Sequence, residues 1–573
     1  MEKSSLLHYS DSIYSFPVSE NEIEIRLLTK KDDDIKRVEL MYNDKYFFHE
    51  KVYFKDILKT YSDSEYDYYI LKEKLNDLRF AYVFKITLKN DEIYYFSESG
   101  VSKSYDISKG FYDFFQVSYI NPVDIIKVNS KFKDRVFYQI FVDRFAKSNN
   151  YINPRVNMKW GDEVNAKSIA GGSLKGIEEK IPYLKELGVD ALYLTPIFKS
   201  PSNHKYDVED YYQISEDFGK KEDLSSLVQN LHKNNILIVL DMVFNHISSS
   251  SSIFVDALLK GKESKYFSWF IVHGDYIDLK KKNYETFGEC NYMPKLNLNN
   301  KEVVDYVLNV CRYYVINFKI DGFRLDVSDE IPHAFWRKLK EEMLLIDPDF
   351  ILIGENWHNS QSYLNHGDEL DSIMNYALTK EMINFFAKSK TSPLEFKNNV
   401  ISLLNRYKSN VNYNLLNLLS SHDIYRFINE CNDDEERFIL AYAFLFFYIG
   451  MPCIYYGDEF ALKGGYDPDS RRCFNWDNKD NSNNLKVNKY LKEFIKIRKS
   501  NEFIDSNFEI IEKDGLILAK REKKENKLTL IINMSQKTKE IQIKGEVLSS
   551  LNLDNNQLKN HGFIITLEGD RYE

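Results

Sequence analysis

From about residue 132 the chain settles into a rhythm that few folds satisfy. Short apolar runs alternate with longer amphipathic stretches, and the alternation repeats eight times. The runs are VFYQIF (136–141), ALYLTP (191–196), ILIVLDMVF (236–244), IDGFRLDV (320–327), FILIGEN (350–356), SIMNY (372–376), LLNLLSSHD (415–423) and PCIYYGDE (452–459). Stretches between them, such as LKGIEEKIPYLKELG (174–188) and EDLSSLVQNLHKNN (222–235), place apolar residues at three- and four-residue spacing, the period of a helix with one buried face. Strands buried on both faces read as continuous apolar runs, and helices between parallel strands cover them. Eight such units predict a closed (β/α)8 TIM barrel.

One interval is too long for a single βα unit. The third run ends near Phe244 and the fourth begins near Ile320, and the helix EVVDYVLNVCRYYVINF (302–318) fills only its last part. Residues 247–300 are therefore read as an inserted domain, dividing the barrel into 126–246 and 301–500. Ahead of the barrel, EIEIRLL (22–28), RVELMYN (37–43), RFAYVFKITL (79–88) and EIYYFSE (92–98) alternate apolar and polar residues, the period of half-buried strands. Residues 1–125 read as a small β-sandwich. Strand patterns return at LILAKRE (516–522), KLTLIINM (527–534), KEIQIKG (539–545) and GFIITLEG (562–569), so 505–573 is read as a second β-sandwich domain.

Composition removes several functions. The net charge is −10, with basic residues scattered among acidic ones, so no nucleic-acid or anionic-membrane partner is expected. The N-terminus carries no apolar run of signal length. The most apolar stretch, 438–456, contains Gly450 and Pro452 and reads as a buried helix leading into a buried strand. Five widely spaced cysteines, with no CxxC pair, fit a reducing compartment and no zinc site. The expectation is a soluble cytoplasmic protein.

Catalytic groups of such barrels sit at the C-terminal ends of the strands. There the sequence places Asp241, Asn245 and His246 after the third strand, and Arg324 and Asp326 on the fourth. Glu355 ends the fifth, and His422 and Asp423 follow the seventh. Glycoside hydrolysis needs one carboxyl group to protonate the leaving oxygen and another opposite it, which attacks directly in a retaining enzyme. Arg324 lies two residues before Asp326 on one strand, hence on the same face, and is expected to hold Asp326 ionised by lowering its pKa. Glu355, beside Trp357 and other carboxylates, is the candidate acid/base. Asp423 is the third carboxylate.

DMVFNH (241–246), GFRLDV (322–327), GENW (354–357) and SSHD (420–423) resemble, in order and spacing, the four short motifs of the α-amylase superfamily. MPKLN (293–297), YQIFVDRFA (138–146), SNHKYDVEDYY (202–212), FGECNYMPKLN (287–297) and DPDSRRCFNW (467–476) resemble its neopullulanase, cyclomaltodextrinase and maltogenic amylase subfamily. The resemblance covers about 130–480. It implies that Asp326 forms a glycosyl-enzyme, that Glu355 is the acid/base and that Asp423 assists. Arg324, His246 and His422 would line the subsite of the attacked glucose, with Tyr206 stacked on its face and His204 close by. Asp467 and Arg471 would hold the next glucose outward, and Phe287 and Trp357 would border the leaving group. Glu330 matches a subfamily glutamate. The substrates implied are cyclodextrins, pullulan or short α-1,4-glucans, and the N-terminal domain is expected to make a homodimer.

The chain departs from that pattern at two places. Subfamily members commonly bind calcium early in the barrel through Asp and Asn after DRFA and through a GGD turn. Here the stretch is AKSNNYIN and the turn GGS, so Asn149 and Asn153 remain as neutral donors and Ser173 replaces a carboxylate. Calcium affinity rises with charged oxygen ligands, so no metal is expected. Asn356 in GENW replaces a common aliphatic, which bears on the leaving-group side. The superfamily also contains α-1,6-active debranching enzymes, transglycosylases and barrels that only bind. The last typically lose the three carboxylates, which are present here.

Overall fold

Each of the eight apolar runs contains a strand: β1 Phe137–Ile140, β2 Ala191–Leu194, β3 Leu237–Met242, β4 Gly322–Leu325, β5 Ile351–Gly354, β6 Ser372–Ile373, β7 Leu416–Leu418 and β8 Met451–Tyr455. The computed structural model describes residues 2–477 and 482–569. The strands form one parallel sheet in the order β6-β5-β4-β3-β2-β1-β8-β7. A parallel bridge between Met374 and Leu416 joins its two ends and closes the (β/α)8 barrel. Side chains from alternate positions, among them Phe137, Tyr193, Val239, Ile353, Leu418 and Met451, fill the interior, so the barrel is a packed core and not a pore.

The covering helices follow local chemistry. Residues 221–233 form one helix with Leu224, Leu227, Val228 and Leu231 buried, the three- and four-residue spacing read from the sequence. The stretch 174–188 makes two helices, Leu174–Glu179 and Ile181–Leu187. Pro182 has no N–H to continue the ladder, and it sits at the start of the second helix, where none is needed. Gly188, at φ 93°, ends that helix in the left-handed region that glycine adopts at least cost.

The insertion carries a helix, Ser252–Lys260, and a two-stranded sheet of Thr286–Phe287 and Cys290–Pro294. It is stitched to the end of β3 by backbone hydrogen bonds from Leu296 N to Asn245 O (2.9 Å) and from Ile247 N to Pro294 O (3.1 Å). The motif MPKLN is thereby fixed beside His246.

By its contacts the chain forms two units, one of residues 1–128, 361–367 and 391–413, the other of the remainder. In the first, an antiparallel four-stranded sheet and a six-stranded sheet enclose a core that includes Ile23, Ile25, Leu27, Leu40, Phe84 and Ile86. The helix Pro393–Asn405, which follows β6 in sequence, belongs to this unit. Its C-terminal end gives the carbonyls of Asn405 and Tyr407 to buried Arg26 (3.2 and 3.0 Å). The second unit ends in a six-stranded antiparallel sheet over 507–568. Among the described residues no helix is long and apolar enough to cross a membrane.

Candidate active site

The register of the barrel places Asp241 on β3 directly opposite Arg324 on β4. From that pairing the whole site is organised. Arg324 Nη1 donates to both oxygens of Asp241 (2.9 and 3.1 Å) and to Asp326 Oδ1 (2.8 Å). Its Nη2 faces Glu355 Oε2 at 3.0 Å and Asp423 Oδ2 at 3.9 Å. One fully buried guanidinium therefore meets four carboxylates. Asp241 is completed by the hydroxyls of Tyr193 and Tyr206, each at 2.8 Å.

Above this floor lies a cavity of about 420 Å³. Its walls carry Asp326, Glu355, Asp423, His204, Tyr206, His246, Phe287, Glu330, Trp357, Asp467 and Arg471. Of the catalytic and substrate-binding residues that the resemblance implies, Arg324 and His422 are absent from the walls, and both are buried. The structure thus brings the whole set together.

Glu355 sits between two donors: Val327 N–H to Oε2 (3.0 Å) and Trp357 Nε1–H to Oε1 (3.1 Å). Trp357 is fixed in turn by stacking on Tyr376, with ring centres 3.9 Å apart and planes within 2°. Val327 reaches Glu355 only because its backbone is left-handed, at φ 47° and ψ 48°. A β-branched residue is a true outlier there, and such a conformation costs about 1–3 kcal/mol. Strain is thus stored between the two carboxylates.

On the opposite wall, the Arg471 guanidinium bonds Asp467 (2.9 Å) and reaches Asp423 (3.6 Å), while its Nε–H donates to the His422 carbonyl (2.9 Å). The loop bearing Asp467 and Arg471 is pinned by two buried arginines. Arg144 bonds the Arg471 carbonyl (2.9 Å) and Arg426 bonds the Ser470 carbonyl (2.9 Å).

Gln139 on β1, which the sequence did not single out, sets the state of His422. Its Nε2 lies 2.8 Å from His422 Nδ1, and an amide nitrogen can only donate there. His422 therefore carries its proton on Nε2, which meets the Tyr206 hydroxyl in a short hydrogen bond. The two rings lie parallel to within 2°. Cys290, Tyr292, Met293, Val327 and Asp329 also line the cavity. The first three directly precede the PKLN of the motif, and that adjacency is the signal that would have found them.

One expectation is overturned. Arg324 does pull Asp326 toward ionisation, but burial and the neighbouring Glu355 push harder, and the Asp326 pKa stands well above the ordinary carboxylate range. Burial likewise raises Asp423, and pushes Asp241 up to about 6. A single cation divided among four carboxylates cannot satisfy each of them. The histidines move the other way. Burial lowers His246 to about 3 and His204 to about 4, and drives His422 well below its usual value, so all three are neutral near pH 7. Asn356 also differs from its reading. It is buried, lies outside the cavity walls, and accepts from His358 N (2.9 Å). Glu330 is held by Lys295 of the MPKLN motif at 2.6 Å.

Where the resemblance implies calcium ligands, the side-chain oxygens of Ser173 and Asn153 already accept from backbone N–H groups. Ser173 Oγ caps a helix by accepting from Gly176 N (3.1 Å). Asn153 Oδ1 accepts from Arg155 N (2.8 Å), and Asn149 is exposed. Buried Asp217 is paired with Arg155 (3.1 Å) and with buried Lys205. Among the described residues no cluster of three His, Cys, Asp or Glu is placed to hold a metal.

Comparison with known proteins agrees with this geometry. The family described as "Alpha amylase, catalytic domain" matches residues 139–526, and "Alpha amylase, N-terminal ig-like domain" matches 1–121. A maltogenic alpha-amylase of Bacillus acidopullulyticus is 38% identical over 551 residues, covering 94% of this chain and 93% of its own. A cyclomaltodextrinase of Thermoanaerobacter pseudethanolicus is 38% identical over 541 residues, with the same coverage. A solved cyclomaltodextrinase structure superposes with a TM-score of 0.90 at 30% identity, over 99% of this chain and 98% of that one. Eight parallel strands closed around a buried Arg324 that gathers four carboxylates, together with these matches, place the chain in the α-amylase family of glycoside hydrolases.

Proposed function

We propose that this enzyme hydrolyses α-1,4-glucosidic bonds of cyclodextrins, pullulan or short malto-oligosaccharides with retention of configuration. The observation that carries the reading is the position of Asp326 and Glu355 on the two η-nitrogens of one buried guanidinium, at the floor of a sugar-sized cavity. Asp326 attacks the anomeric carbon while Glu355, protonated, gives its proton to the leaving oxygen. Glu355 then takes a proton from water, which displaces Asp326. Positive charge developing on the sugar ring favours ionised Asp326, so the raised ground-state pKa is relieved as the reaction proceeds. Asp423 and the neutral His246 hold hydroxyls of the attacked glucose, Tyr206, fixed from beneath by His422, stacks on its face, and Asp467 and Arg471 hold the next unit. Phe287 and Trp357 border the leaving group, and Glu330 with Lys295 lies beyond them.

The substrate class follows the names of the relatives. Incubation with β-cyclodextrin, pullulan and starch, followed by chromatography, tests it, and proton NMR of the first product tests retention. Initial release of the β-anomer would overturn the mechanism. An α-1,6 preference would appear as maltotriose released from pullulan, and a transglycosylating one as lengthened products. We further propose that the enzyme needs no metal, resides in the cytoplasm and forms a homodimer through its N-terminal domain. The five cysteines are all free thiols, and Tyr46, Phe47, Tyr53 and Phe54 of that domain are about half exposed. Sedimentation of the whole chain and of a deletion lacking 1–125 tests the dimer.

A further inference from the structure

The cavity ends at Asp467 and Arg471, but the surface beyond them is not bare. Tyr425 lies two residues after Asp423, and Tyr466 immediately precedes Asp467. The two rings stand side by side, centres 5.9 Å apart and tilted by 43°. They are 46% and 63% exposed. Neither belongs to the cavity walls. The pair is built, not incidental. Arg426 N donates to the Gly464 carbonyl (3.1 Å), tying the two loops together. A Cβ at Gly464 would come within 2.5 Å of the Asp469 carbonyl, so only glycine allows that approach. Gly465 leaves open the space beside the Tyr425 ring, whose Cε1 would be 3.9 Å from a Cβ there. Its N–H is fixed by Asp469 Oδ2 (2.6 Å).

We infer that Tyr425 and Tyr466 form an outer glucose subsite, continuing the cleft past Asp467 and Arg471 on the side away from the leaving group. The ligand is a linear α-glucan. Two tilted, half-exposed rings present apolar faces for the C–H face of a pyranose, and phenol hydroxyls at their edges for its hydroxyls. Arg471 and Asp467, at the near edge, supply charged partners for the unit before it. The inference rests on the orientation proposed above, in which Asp467 and Arg471 lie on the non-reducing side of the scissile bond.

Reducing-end-labelled maltopentaose tests it, because the label reports which bond is cut. The wild-type chain should favour complexes with three glucose units on the non-reducing side over those with two. Tyr425→Ala with Tyr466→Ala should shift the ratio toward two by roughly three- to tenfold, the size of effect that aromatic contacts carry. Phe at both positions should restore the wild-type ratio. A melting temperature matching wild type shows that the Ala variant is folded; should it fall, the single variants are measured instead, and each should shift the ratio in the same direction. An unchanged ratio in variants that still cleave overturns the outer subsite and leaves the catalytic reading intact. Cleavage altered equally at every bond also overturns it. A wild-type enzyme that does not cut the labelled chain overturns the catalytic reading, and the subsite with it.

Discussion

Two buried arginines at the same end of the barrel have different surroundings. Arg324 on β4 faces Asp241, Asp326, Glu355 and Asp423 below an open cavity. Arg426, after β7, pairs with one carboxylate, Asp458 (3.0 Å), and spends its other bonds on the carbonyls of Tyr456 and Ser470. Tyr442 completes Asp458 at 2.6 Å. The neighbouring Glu459 has no cation. It accepts from Tyr138, Tyr183 and Gly457 N, and burial pushes its pKa up to about 7. The turn beside it uses Gly457 for its left-handed residue, whereas the turn after β4 uses Val327. The sealed cluster matches its one arginine to one aspartate and has glycine in the left-handed position before it. The open one has a surplus of negative charge and a strained backbone. A fold built only for stability would have neither, which is the mark of a site that does chemistry.

The largest effect expected from this contrast is on turnover. Asp326→Asn should lower kcat on β-cyclodextrin by at least about a thousandfold, since the two-step route loses its nucleophile. It also removes one carboxylate from a surplus, so the melting temperature should stay level or rise. Activity within tenfold of wild type would remove Asp326 from the mechanism. A large loss of stability would show that the two clusters are not different in kind.

Asp458→Asn is the mirror experiment. It breaks a balanced pair and leaves Arg426 buried with an uncompensated charge, at a cost of about 3–5 kcal/mol. Denaturant unfolding should show that loss, while kcat of the folded fraction falls far less than in Asp326→Asn. A variant as stable as wild type contradicts the structural role assigned to the pair.

How much of this contrast was legible in the sequence depends on distance along the chain. The strands β1–β8 and the helix 221–233 were readable because their apolar periods are local. The residues Asp326, Glu355 and Asp423 were readable because strand ends in a barrel converge. What escaped was set by partners far apart in sequence. Gln139 and His422, 283 residues apart, meet across the barrel. The direction of the Asp326 pKa was misjudged because Arg324, two residues away, is visible locally, whereas burial and Glu355 are not. The strain at Val327 left no trace, since valine is ordinary in a strand. Asn356 stands in GENW where an aliphatic is common, and its side chain turns back to its own loop, which the motif alone does not show.

Glu459 sharpens the comparison through pH. Its folded pKa of about 7 lies above the ordinary value of 4.5, so the folded protein binds more protons than the unfolded one between those limits. Its contribution to stability therefore grows as pH falls from 8 toward 5. Buried His246, lowered to about 3, acts oppositely over the range below 6.5. The difference in melting temperature between wild type and Glu459→Gln isolates the first contribution, since the histidines are common to both. That difference should move in favour of wild type on acidification. A difference independent of pH would mean that Glu459 is ionised throughout.

The smallest expected effect is that of chelation, at a third buried cluster where the cation is the chain's own. Asp217 is paired with Arg155 and with Lys205, whose ammonium also donates to the carbonyl of Ser202. Ser173 and Asn153, at the positions where relatives are expected to hold calcium, already direct their oxygens at backbone N–H groups. A divalent ion would have to displace those bonds while gaining no free carboxylate. It would also meet Arg155 and Lys205 at close range, and both effects oppose binding. EDTA should therefore change neither the melting temperature nor the rate on β-cyclodextrin, and added calcium should restore nothing. Lys205→Met should make the point from the other side. It leaves Asp217 with one partner, and stability should drop by about 3–5 kcal/mol whether or not calcium is present. A drop rescued by millimolar calcium would show that the lysine stands where a metal can. A drop in the unmodified protein on chelation would show that the metal site persists.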